Sequence, residues 1–188
     1  MQKTRAEFGG LAAIVRVGLV VLLAWWTVRL VAGASDWCVL DLVNLAFHEA
    51  GHLFMRPFGS TTHLLGGTLF QLAVPALLVG YFMLHRHDAF AAATCSWWLG
   101  ESLNNVAIYM ADARDLALPL IGGEHDWNEL FFRFGVLDEA SVTSISSITR
   151  GLGALVMVGG LLWLGFWLLP AWLRDALVDR MHRTTRST

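Results

Sequence analysis

Apolar positions gather into five long blocks, about residues 11–32, 37–55, 64–84, 89–111 and 152–173. Each is close to the roughly 20 residues that a membrane-crossing helix needs. The pattern predicts an all-α fold, a polytopic membrane helix bundle of about five transmembrane helices forming a single membrane domain over residues 1–188. The second block is the shortest and most polar. The first follows Lys3 and Arg5 and ends at Ala32-Gly33-Ala34, a mimic of a signal-peptidase site. Its length exceeds a usual signal core, so it is expected to remain as an uncleaved first span.

The long hydrophilic stretch, residues 112–150, separates the fourth and fifth blocks. Within it Asp126 and Glu129 have capping-box spacing, and Trp127, Leu130, Phe131 and Phe134 recur at i, i+3, i+4 and i+7. A short helix on the membrane surface, or one covering the spans, is expected there. Ser141, Thr143, Ser144, Ser146, Ser147 and Thr149 then form a polar approach to the last span.

Composition agrees: 56% of the residues are hydrophobic, 15% are charged and nine are Trp, which places the chain among integral, multi-pass membrane proteins. The lipid bilayer is the first expected partner. A net charge of -2 and the lack of a basic patch interleaved with aromatics argue against nucleic acid. Lys and Arg are shared almost evenly between the two sets of loops, so charge does not set the orientation. Cys38 and Cys95 lie in apolar segments without C-x-x-C spacing and read as packing residues.

Chemistry concentrates in two polar stripes. On a helix over residues 38–55, Asp41, Asn44, His48 and His52 share one face, opposite Leu42, Val43, Ala46, Ala50 and Leu53. His48-Glu49-Ala50-Gly51-His52 is an H-E-x-x-H sequence. Its two imidazoles, four residues apart, could reach one zinc ion, with Glu49 addressing a water as general base. In the fourth block Glu101, Asn105, Ile108, Asp112 and Asp115 follow 3-and-4 spacing, with Asn104 on their flank. Two such helices would bury their stripes by facing one another. That pairing would bring a carboxylate to the histidines, with Asp112 the preferred third ligand and Asp115, Glu124, His125 and Asp126 as alternatives.

On these residues the chain resembles the site-2 protease-like intramembrane zinc metallopeptidases. That family pairs H-E-x-x-H with N-x-x-P-x-x-x-L-D-G on a later membrane helix, whose aspartate ligates zinc. Asn104 to Asp112 reproduces the interval, but Ala107, Ala111 and Ala113 replace its Pro, Leu and Gly. Gly67-Thr68-Leu69-Phe70-Gln71, followed by Val74-Pro75, looks like the family's G-x-x-x-N segment, with Gln71 replacing Asn. The resemblance covers about residues 38–115 and implies a three-helix metalloprotease-like core and one Zn2+ per chain. It further implies cleavage of peptide bonds in or near a transmembrane protein substrate, with Glu49 as general base. Gln71 would position substrate or satisfy a buried backbone group. Asn44, Asn104 and Asn105 are further candidates for substrate contact or for supporting the ligands. Two other classes remain compatible with the motif: a membrane zinc hydrolase acting on lipid amides or esters, and a catalytically silent zinc-binding scaffold.

Overall fold

The computed structural model describes residues 2–120, 125–170 and 173–176, with side chains from residue 10 onward. Among these residues the fold is all-helical. Helix α1 spans Gln2–Val31, α2 Asp41–Met55, α3 Ser60–Tyr81, α4 Ala89–Ala111, α5 Asp126–Phe134 and α6 Glu139–Leu168. A single 3-10 turn, Arg56–Phe58, separates α2 from α3, and α3 runs into a π-helical turn at Phe82–Arg86.

Local chemistry sets these boundaries. Pro57 cannot extend the α2 hydrogen-bond ladder, and Gly59 then reverses the chain at φ 106°, so α3 begins at Ser60. Asp88 accepts a 3.0 Å hydrogen bond from the Ala91 N–H and caps α4. Asp138 caps α6 in the same way through the Ser141 N–H.

Three helical segments are long and apolar enough to cross a membrane: Gly10–Val31, Ser60–Arg86 and Glu139–Leu168. The other two expected spans are helices of a different kind. With 15 residues, α2 is about 22 Å long and falls short of a bilayer core of about 30 Å. The 23 residues of α4 reach far enough, but Glu101, Ser102, Asn104 and Asn105 dilute its apolar character. The last helix also starts earlier than expected. The Ser/Thr-rich approach is the first part of α6, because a hydroxyl such as that of Thr149 can bond back to the Ile145 carbonyl, at 2.9 Å.

The bundle is fastened around α4. Glycines let α6 come close: a Cβ on Gly100 would stand 2.5 Å from the Met157 nitrogen, and one on Gly160 2.9 Å from that of Trp97. Leu23, Leu30, Cys38, Ala93, Trp97, Met157 and Leu164 form one apolar cluster joining α1, α4 and α6. The second cluster, at the opposite end, joins α3, α4 and α6 to α5 through Leu64, Val106, Met110, Trp127, Leu130, Phe131 and Val142. The short helix of the long connection therefore covers the end of the bundle at which α3 and α6 begin and α4 ends. The site forms beneath it.

Candidate metal centre

Helical spacing places the imidazoles of His48 and His52 on one face of α2, with ring centroids 4.7 Å apart. Space for them comes from α3, since a Cβ on Gly67 would lie 2.5 Å from His48 Nε2. From the opposite side the first residue of α5 presents its carboxylate. Asp126 Oδ2 lies 2.9 Å from His48 Nε2 and 3.1 Å from His52 Nε2. His48 and Asp126 are buried and His52 is half-buried, with ligand atoms of all three within 4.8 Å of one another.

The hydrogen bonds behind the rings decide what this cluster can hold. The Nδ1 of His52 faces the His63 backbone carbonyl at 2.8 Å, an oxygen that can only accept, so the proton sits on Nδ1. The Nδ1 of His48 faces Gln71 Oε1 at 3.2 Å, while Gln71 Nε2 donates to Asn105 Oδ1 at 2.8 Å. With both Nδ1 positions donating, each neutral imidazole turns an Nε2 lone pair toward a carboxylate oxygen. Three acceptors cannot converge at these distances without a cation among them, either a proton on a ring or a metal ion. Around a zinc held at about 2.0–2.1 Å, tetrahedral ligand atoms stand about 3.3 Å apart, close to the 2.9 and 3.1 Å that separate Asp126 Oδ2 from the two Nε2 atoms. Two imidazoles and one carboxylate, each ring fixed from behind, are also the ligand types and support that metal sites use.

Burial opposes charge on Asp126, but its contacts with the two imidazoles outweigh burial and hold its carboxyl down to about 2. The residue is therefore an anion at neutral pH. Its neighbour His125 caps α5 by accepting the Asn128 N–H at 3.1 Å on Nδ1, a role that the capping-box spacing had suggested for Asp126. Burial pushes the His125 imidazole below its ordinary value despite the nearby Asp112 carboxylate. It is thus neutral, with its proton on Nε2.

The third position of the group belongs to Asp126 and not to Asp112. Both Asp112 carboxylate oxygens are engaged with the chain beyond α4, accepting from the Ala117 N–H at 2.9 Å and the Leu118 N–H at 3.0 Å. His125 Nε2 stands 3.3 Å from Asp112 Oδ2, near but out of line for a hydrogen bond. Asp112 thus pins the loop that returns toward the ligand helix. Asp115 is exposed on that loop, and Glu124 lies outside the described residues.

A cavity of about 450 Å³ opens beside the three ligand atoms. Its lining mixes polar side chains, His48, Glu49, His52, Asp126, Gln71, Asn105 and Tyr109, with apolar ones, Leu42, Leu45, Ile108, Leu118, Pro119 and Leu120. Glu49 shares this space with the group. Gln71 is buried and holds the His48 ring, while Asn105 holds Gln71. The Asn44 amide points elsewhere: Nδ2 donates to Glu101 Oε2 at 2.9 Å, and Oδ1 accepts from Trp98 Nε1 at 2.8 Å and Ser102 Oγ at 3.0 Å. It ties α2 to α4. Asn104 is buried where α6 passes and lies outside the cavity lining.

Two supporting contacts lie outside the sequence reading. His63 acts through its backbone carbonyl, which no side-chain pattern reports. Tyr109 lies four residues after Asn105 on the polar face of α4, a spacing that would have included it had phenols been counted with the amides and acids. No protein-family model, curated protein or solved structure matches this chain.

Proposed function

We propose that this chain is a multi-pass membrane zinc metallopeptidase that hydrolyses peptide bonds in or near transmembrane segments. The observation that carries the reading is the convergence of two imidazole Nε2 atoms and a carboxylate oxygen in a cavity that Glu49 and apolar side chains also line. His48, His52 and Asp126 would hold the metal. Bound zinc would supply Lewis acidity, polarising a carbonyl and acidifying a water.

The chain's own residues perform the rest. Gln71 and the His63 carbonyl keep both rings in the tautomer that frees Nε2. Glu49 takes a proton from the attacking water onto its carboxylate and returns it to the leaving amine, so that water and a peptide bond yield an acid and an amine. The apolar part of the lining accommodates side chains of a membrane-embedded segment, whose helix must open locally to free the scissile carbonyl from its own hydrogen bond. Asn105 and Gln71 add amide groups to the lining.

A second reading, hydrolysis of lipid amides or esters, draws on the same apolar lining and on the lack of a strand edge among the described residues against which an extended peptide could pair. The test is a reconstituted assay with a transmembrane peptide and an acyl amide offered in parallel. Cleavage of the peptide by wild type, lost in Glu49→Gln while zinc stays bound, is the expected result. Turnover of the acyl amide alone would select the second reading, and peptide cleavage by Glu49→Gln would remove Glu49 from the mechanism.

A further inference from the structure

Tyr109 is the group nearest the ligand carboxylate that the proposed mechanism leaves without a task. Its phenol oxygen accepts the Asp126 N–H at 3.0 Å, its ring lies 4.3 Å from that of His125, and it meets the His48 ring edge-on at 5.9 Å. It also lines the cavity. With its oxygen accepting this backbone donor, the hydroxyl ties the first residue of α5 to α4.

We propose that Tyr109 is the positioning residue for the metal-ligating carboxylate of Asp126. Through the Asp126 N–H it fixes the turn at which α5 begins, and so sets where the carboxylate stands relative to His48 and His52. The inference rests on the metal-centre reading and deepens it. Each imidazole is oriented from behind by an acceptor, Gln71 Oε1 or the His63 carbonyl. Tyr109 gives the third ligand the corresponding support by accepting its backbone N–H. The bond anchors the first residue of a nine-residue helix, beside the Asn128 Nδ2 bond to the Ala113 carbonyl at 2.7 Å.

The test uses the detergent-purified full chain and zinc alone, with affinity read by competition against a chromophoric chelator. Tyr109→Phe keeps the ring against His125 and His48 and removes only the hydroxyl. It is expected to bind zinc about 10–100-fold more weakly, the usual cost of losing such a supporting bond. In an Asp126→Ala background the same change should have no further effect, because Tyr109 acts through that carboxylate. The chain has two tyrosines, so 3-fluorotyrosine labelling offers a second readout that leaves the fold intact. The Tyr109 fluorine resonance should move on zinc addition, while that of Tyr81, at the far end of α3, stays in place. Wild-type affinity in Tyr109→Phe, an equal loss in the Asp126→Ala background, or a fluorine signal indifferent to zinc would each overturn the assignment. Failure of wild type itself to bind zinc would instead overturn the metal centre, and this inference with it.

Discussion

At the scale of single residues, the two imidazoles and the carboxylate differ in how far apart the chain holds them. His48 and His52 are one helical turn apart, so any α2 helix brings them together, and their pairing was legible in the sequence. Asp126 is 78 residues from His48 and reaches it only through tertiary packing. The sequence pattern favoured Asp112 because it lies on the polar face of α4. That carboxylate is instead consumed by the Ala117 and Leu118 N–H groups, a local demand created where α4 ends. The two aspartates should therefore separate experimentally. Asp126→Asn is expected to lose zinc by at least tenfold in affinity, because an amide replaces the anionic ligand. Asp112→Asn should retain it, since its amide oxygen can still accept from the loop. Metal content of the two purified variants checks this, and loss of zinc in Asp112→Asn with retention in Asp126→Asn would reverse the assignment.

Among the helices, α5 carries the strongest consequence. Its period of Trp127, Leu130 and Phe131 predicted a short amphipathic helix, and those three side chains are buried under α3, α4 and α6. Phe134 belongs to the same period yet stays exposed, because Gly135 ends the helix with a left-handed turn at φ 70° and the last turn stands clear of the bundle. Leu130 is completely buried, so Leu130→Ala is expected to cost about 2–5 kcal/mol of local stability. Since Asp126 is carried by the same helix, zinc affinity should fall with it although the substituted residue touches no ligand. Hydrogen exchange of residues 125–134 would then rise, with the amides of α4 unchanged. Exchange that rises equally in both helices would make α5 part of the global folding unit. The length of α2, by contrast, was poorly legible: an apolar run does not mark where its helix starts, and α2 begins at Asp41, inside the block from 37 to 55.

For the whole molecule, apolar periodicity points to an all-helical bundle with five spans, whereas three described segments have the length and composition to cross a membrane. Helix α4 turns polar side chains toward α2 and α3, and α2 is tied to its neighbours through Gly51 and Asn44 while Leu42, Leu53 and Phe54 stay exposed. Zinc binding only to the folded bundle should stabilise it by about 2.7 kcal/mol at a free concentration one hundred times the dissociation constant. The midpoint of thermal unfolding should rise with zinc and fall on chelation. Protons compete with the metal for both imidazoles, so the gain should be present at neutral pH and shrink as pH falls, more steeply than a single titrating ligand would allow. Unfolding that is indifferent to zinc at neutral pH would contradict this. The placement of the carboxylate on α5 also orders events in time. A chain still being synthesised possesses both histidines and Glu49 by the time α2 has emerged, but no third ligand. Asp126 arrives later, and its helix docks partly on Val142 of α6. The group that could hold a metal is thus complete only once α5 has docked against α6, long after its two histidines have been made.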